Sequence, residues 1–327
     1  MFKKRKLISI MLTISMMLTL FPFAAFAEEG NAVTVTKSDT TTAGYADLAS
    51  AVSAADDGSI ITLNKPVTTD QQVTMDKNIT LDLGGFTLES SADQAIVVGQ
   101  NKTLSMKNGT LKSTGATFAV GLSKDAKFNM AKDTVIDATG AGVKGSFTDT
   151  DGNTTIVVNG KINSQDVGVF CKGPKNKVVV DGATINSKYF GVYQNGSYGG
   201  SSFTLKNSTI VDTLDNGAGV YVSNNKTNAN NQEQGYQTLT IENCNITGVT
   251  GVEAKYTNVT IDDKSTLTAT GKAVSTTPNN NGSTTSGFAL AITHNGKDTS
   301  KDSAAGKVEI KGGTFNGYVG VQKPSAD

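Results

Sequence analysis

The sequence predicts an all-β chain, a parallel β-helix of about ten rungs opened by a short N-terminal capping helix. Three observations carry that prediction. An apolar pair separated by one residue recurs nine times, a turn-forming residue stands four places after the first member of each pair, and a small residue followed by an aliphatic one returns later in each unit. Repetition of this kind marks a solenoid, in which a unit buries its apolar face only by stacking on its neighbours.

The first strand of the unit opens at Leu81, Leu104, Phe128, Ile156, Val178, Phe203, Leu239, Val259 and Val308. Its second apolar residue is Leu83, Met106, Met130, Val158, Val180, Leu205, Ile241, Ile261 or Ile310. Mostly polar residues separate the two, which is the period-2 alternation of a strand with one buried face. The turn column reads Gly85, Asn108, Lys132, Gly160, Gly182, Asn207, Asn243, Asp263 and Gly312, chiefly residues that tolerate a left-handed backbone. A second strand follows at Leu88, Leu111, Val135, Ile185, Ile210, Ile246 and Phe315, with Ile162 and Leu267 displaced by one residue. The third strand carries pairs such as Ala95-Ile96, Gly168-Val169, Gly191-Val192, Gly219-Val220 and Gly320-Val321. Polar insertions at 145–153, 223–237 and 293–306 leave after this strand and should rim one side of the coil; another, 275–286, comes earlier in its unit.

Ahead of the repeats, Tyr45, Leu48, Val52 and Ala55 fall on one face of a short helix that stops at Asp56-Asp57-Gly58. A solenoid exposes the core of its terminal rung, so this helix is expected to cap it. Earlier still, Lys3, Lys4, Arg5 and Lys6 precede an uncharged apolar stretch and the triplet Ala25-Phe26-Ala27, the layout of a cleaved signal peptide. The expected organisation is a signal peptide over 1–27, an N-terminal segment with the capping helix over 28–58, and the β-helix over 59–327. The last unit matches the repeat and only six polar residues follow it, so the stack is expected either to continue in a longer chain or to pair end to end with another copy. The expected location is the cell surface or the medium.

Setting the leader aside reduces the 29 basic residues to 25, all Lys, against 29 acidic ones, a net charge of −4. No basic run remains, which argues against nucleic acid as a partner, and no second apolar segment calls for membrane insertion after the leader is removed. Two cysteines, Cys171 and Cys244, are too few for a disulfide framework and lie three rungs apart, so both should be free.

The segments Tyr45-Ala-Asp-Leu-Ala-Ser-Ala-Val, Asp57-Gly-Ser-Ile-Ile-Thr-Leu, Ile79-Thr-Leu-Asp-Leu-Gly-Gly and Gly312-Gly-Thr-Phe resemble the pectin-lyase-like superfamily, and within it the exported β-helix proteins of Gram-positive bacteria. The resemblance, with the general handedness of parallel crossovers, implies right-handed coiling. It implies a search for the Arg, His and Asp groups with which enzymes of that superfamily act on acidic polysaccharides. Past the leader there is no Arg, and the single His294 stands in Thr-His-Asn-Gly beside an insertion, so no catalytic residue carries over.

Other chemistry is sparse. Glu242 and Asp262 occupy one column on adjacent rungs and approach the roughly 5 Å separation of a retaining glycosidase pair, but Lys206 and Lys311 share that column and favour solvated ion pairs. Asp149-Thr-Asp-Gly-Asn lacks the ligand register of a Ca²⁺ loop, so no metal or other cofactor is expected. Outward Thr and Ser in the first strand invite comparison with ice-binding solenoids, but Lys127, Lys177 and Glu309 interrupt the array. The candidate ligand-binding group is aromatic. Phe170, Tyr193 and Tyr221 follow the small-aliphatic pair in three consecutive units, with Tyr189 and Tyr198 nearby, and a strict strand alternation points them outward as a platform for sugar rings. These features favour a non-catalytic adhesion or binding module for polysaccharide or host glycan, with a polysaccharide lyase or glycoside hydrolase as the alternative.

Overall fold

The computed structural model describes residues 30–194, 198–214, 217–224, 235–272, 285–293 and 306–321. They form a right-handed parallel β-helix. Each turn of the chain adds one strand to each of three sheets, here called A, B and C, which hold 12, 10 and 10 strands. The predicted leader, His294 and most of three insertions lie outside the described residues.

Side-chain alternation builds the core as expected. In the strand Lys177–Asp181 of sheet A, Val178 and Val180 are fully buried and Val179 faces out; in Thr184–Ser187 of sheet B, Ile185 is buried between half-buried Thr184 and Asn186. Register between rungs departs from the sequence alignment in three places. Leu104 pairs with Ile79 and Met106 with Leu81, two residues from the expected match. Ile136, not Val135, continues the buried column of sheet B between Leu111 and Ile162. In the last unit Val319 pairs with Leu290 across an irregular register, where Gly320-Val321 was expected to match the Ala289-Leu290 pair. The first shift, of two residues, keeps the same face buried because side chains alternate with period two, and the one-residue shift at Ile136 keeps the apolar residue in the buried column, where an uncompensated slip would have exposed it.

The turn between sheets A and B has the expected left-handed backbone at Gly85, Asn108, Gly182, Asn207, Asn243 and Gly312, but not at Lys132, Gly160 or Asp263. Where Asn fills it, amides stack along the axis: Asn243 Nδ2 donates to Asn207 Oδ1 at 2.9 Å, and Asn207 Nδ2 donates to Asp181 Oδ1 at 2.9 Å. At the corner leading back to sheet A, the amide of Asn176 donates to Ser201 Oγ and the amide of Ser201 to Gln237 Oε1, satisfying buried backbone groups.

Sheet C bends at its small residue. Phe190 pairs with Ala218 and Val192 with Val220 in one register, while Gly191 and Gly219 between them do not pair. A Cβ at Gly191 would stand 2.2 Å from Ile210 Cγ2 and 2.5 Å from the Gly219 carbonyl oxygen. The small residue and the aliphatic one after it therefore both face the core. The residues on either side of them, Phe190 and Tyr193, both face out.

The capping helix spans Leu48–Ala54, with Asp47 as N-cap accepting from the Ser50 amide at 2.7 Å, and it buries Leu48, Ala51 and Val52. Gly58 has a positive φ but lies in the turn beyond the helix end. Tyr45 belongs to a strand, not to the helix face. The sequence reading missed the hairpin Val33–Thr36 and Thr42–Tyr45, whose first strand pairs antiparallel with Ile60–Leu63 and covers the edge of sheet A. At the other end, Ile310, Tyr318, Val319 and Val321 of the last described rung are exposed. Among the described residues no helix is long and apolar enough to cross a membrane.

Candidate functional site

The outer face of sheet C carries a continuous column of side chains on successive rungs. Lys144 pairs with Phe170, Phe170 with Tyr193, Tyr193 with Tyr221, and Tyr221 with Glu253. With adjacent strands about 4.8 Å apart the rings are held in contact, with centroids 5.2 Å apart for Phe170–Tyr193 and 5.1 Å for Tyr193–Tyr221.

This column is not the open platform that strict alternation predicts. Tyr193 is 9% exposed and Tyr221 1% exposed. The bend explains the difference: it turns a second column outward, and the Phe190 ring from that column stacks on Tyr193 at 4.4 Å. Phe118, Phe190, Tyr193 and Tyr221 thus join a second apolar cluster outside the coil, with Phe147, Phe170 and Tyr189 half-buried at its margin. Phe147 comes from the 145–153 insertion and packs on Phe118 at 5.5 Å. Tyr198 is half-buried and stands apart from the cluster, its carbonyl accepting from Gln237 Nε2 at 3.1 Å. Of the five predicted residues, Phe170 and Tyr189 are those that combine ring contacts with partial exposure.

A cation stands at one end of the column. Lys144 Nζ lies 5.7 Å from the Phe118 ring centroid and 5.6 Å from that of Phe170. Burial, reinforced by the nearby Lys172 charge, lowers its pKa below the usual lysine value.

The other end holds a buried ion pair that sequence reasoning overlooked. Lys255 Nζ is 3.4 Å from Glu253 Oε1 and 5.2 Å from the Tyr221 ring centroid. Thr293 Oγ1 donates to Glu253 Oε1 at 3.2 Å and Thr285 Oγ1 to Glu253 Oε2 at 2.9 Å. Lys255 lies in register between Ser223 and Thr293, so the pair sits where two insertions leave sheet C and where the described chain resumes at Thr285. Burial pulls the Lys255 pKa down against the opposing pull of Glu253; burial and then the Glu253 charge hold the Tyr221 phenol well above its ordinary value. The available signal was a carboxylate and an amine two residues apart on the outward side of a strand flanked by insertions.

The remaining acidic candidates are structural in their contacts. Glu242 pairs with Lys206 at 2.8 Å on the open surface. Burial would raise the Asp262 carboxyl, but the Ser265 hydroxyl and the amides of Asn243, Lys264 and Ser265 outweigh it and leave the group below its usual value. Asp262 is thereby an ionised turn anchor, unsuited to donate a proton. In the 145–153 insertion Asp149 lies 3.7 Å from Lys172, and Asn153 Nδ2 donates to Asp125 Oδ1 at 2.7 Å. Among the described residues no three His, Cys, Asp or Glu side chains are grouped to hold a metal. Asp212 is a different case: it is buried in the inward column beside Ser187, its Oδ2 has no hydrogen-bond partner among the described residues, and burial pushes its pKa up to about 7.

Comparison with protein-family models, with curated proteins and with solved structures finds no match for this chain.

Proposed function

We propose that this chain is a non-catalytic β-helix module of the cell surface or the secreted fraction, allied to the pectin-lyase-like proteins of Gram-positive bacteria, that binds glycan or host matrix. The observation that carries this reading is the half-exposed margin of the aromatic layer. Phe170 and Tyr189 are half-exposed there, and the Lys144 ammonium stands over the Phe170 ring at 5.6 Å from its centroid. Ring faces next to a hydrogen-bond donor are the elements of sugar recognition. The leader-like N-terminus supports export. The engagement of Glu242 and Asp262 in surface pairs and turns supports a non-catalytic role. The exposed Tyr318 and Val321 support end-to-end association of copies as a second mode of contact. Affinity electrophoresis of the purified chain through gels containing a polysaccharide panel tests the proposal. Retardation that Phe170→Ala with Tyr189→Ala removes is the expected result, and equal mobility with every polysaccharide would overturn it.

One observation favours the alternative of a polysaccharide lyase or glycoside hydrolase: a buried carboxylate and ammonium beside a phenol, at Glu253, Lys255 and Tyr221. Release of reducing or unsaturated ends from the same panel, abolished by Glu253→Gln, would establish it.

A further inference from the structure

Sheet B changes character along the axis. In its early rungs the outward positions carry charge, as in the Lys112–Glu89 pair at 2.8 Å and at Asp137 and Lys161. From the strand Thr184–Ser187 onward the charge disappears. The five strands Thr184–Ser187, Thr209–Asp212, Asn245–Gly248, Thr266–Ala269 and Thr314–Asn316 pair in unbroken parallel register. Their first and third residues face out, and these ten positions hold six Thr, three Asn and one Val. All ten are half-buried or exposed.

Most of these polar groups are not used within the protein. Asn186 donates to Asn163 and Asn316 donates to Thr268. The hydroxyls of Thr184, Thr209, Thr247, Thr266 and Thr314 have no protein partner among the described residues. The outer face of sheet A over the same rungs differs, with Lys206, Glu242 and Asp262 along it.

We propose that this strip is a binding site for a neutral polysaccharide lying along the β-helix axis. The assignment rests on the glycan-binding reading above and gives it a second face and a ligand class. A hydroxyl both donates and accepts, as sugar hydroxyls do, so the strip matches a glycan in either chain direction. The methyl groups of Thr supply apolar contact with the ring carbons. With no fixed charge at the ten outward positions, a neutral chain binds without displacing a counter-ion, whereas an acidic chain meets a cation only at the strip's border, at Lys161 and Lys188. Five strands about 4.8 Å apart give a track on the order of 19 Å long, which accommodates several sugar units. Asn and Val interrupt the hydroxyl columns, which fits a chain ligand better than the unbroken lattice of an ice face. Tyr189 stands two residues beyond Ser187, at the corner where this strip meets the aromatic margin of sheet C.

The test uses the purified chain and a variant with Thr209→Val, Thr247→Val and Thr266→Val, which keeps shape and strand preference while deleting hydroxyls. Affinity electrophoresis with hydroxyethyl cellulose, xylan and mannan is run beside carboxymethyl cellulose, which carries acid on the same backbone as the first. The expected result is retardation by at least one neutral polymer, weakened tenfold or more in the triple variant, with an unchanged melting temperature. Neutral-polymer binding that the variant retains in full overturns the strip and leaves glycan binding standing. Retardation by the acidic polymer alone does the same. Binding to none of the four polymers overturns the strip, and the panel that tests the broader reading then decides whether glycan binding falls with it.

Discussion

The Lys255 ammonium lies 3.4 Å from the Glu253 carboxylate, and both side chains are buried. An isolated buried charge is expensive, and removal of one partner of such a pair costs roughly 3–5 kcal/mol, whereas an apolar replacement of both is often neutral. Glu253→Ala is therefore expected to lower the urea midpoint sharply, and Glu253→Leu combined with Lys255→Met to recover most of the loss. Equal destabilisation by the single and the double variant would show that the hydroxyl bonds of Thr285 and Thr293, not the charge balance, hold this region.

The aromatic layer contributes to folding as well as offering a margin for binding. Tyr221 and Tyr193 are buried among Phe190 and each other, and truncating a buried aromatic costs about 3–5 kcal/mol. Tyr221→Ala is expected to lower the melting temperature by several degrees, while Tyr198→Ala, outside the cluster, should change stability by less than about 0.5 kcal/mol. Thermal melts of the two variants check the ordering.

How much of this was legible in the sequence depends on the sheet. In sheets A and B apolar and polar residues alternate one by one, so their buried columns and turn residues were read with only local register errors, such as Val135 for Ile136. Sheet C places Gly191 and Val192 both inward, and strict alternation cannot describe that bend. Phe170, Tyr193 and Tyr221 were still correctly stacked, because repeat spacing alone sets the rung. The burial of Tyr193 and Tyr221 was missed, because it depends on Phe190 standing on the same side of the sheet. The Glu253–Lys255 pair was missed for a related reason: its significance lies in its neighbours Ser223, Thr285 and Thr293, which are distant in sequence.

Asp212 gives the stability a pH dependence of definite sign. Its pKa is about 7 in the folded chain, above the value of about 3.9 for an unfolded aspartate. The folded state then holds the proton more tightly, so the stabilisation is complete below about pH 4 and is lost as pH rises through about 7. Asp212→Asn should remove this part of the pH dependence, on the order of 4 kcal/mol at its greatest, and leave the variant more stable than the parent at pH 8. Denaturant titrations at pH 5 and pH 8 measure it; parallel pH profiles for parent and variant would refute it.

Both thiols should be silent in the native protein. Cys171 and Cys244 are free and buried, and burial raises their pKa values to about 12 and about 11. Because the thiolate is the reactive form, an aromatic disulfide reagent should label neither at pH 8 and both in guanidinium. Rapid native labelling of Cys171 would mean that the coil opens near Gly145.

The bend at the small residue has a consequence for how such a protein diversifies. It gives sheet C an apolar floor on the outside as well as a core on the inside, and the strands of the coil supply nearly all of that floor. Chain leaving after Ser223 or Thr293 therefore starts from a surface that is already packed, with Thr293 tied down by Glu253, whereas the 145–153 insertion adds Phe147 to that surface. Segments that add nothing to the floor can lengthen, shorten or change in composition without unseating a rung. Variation can then concentrate on one wall of the molecule while the stack that carries it stays the same.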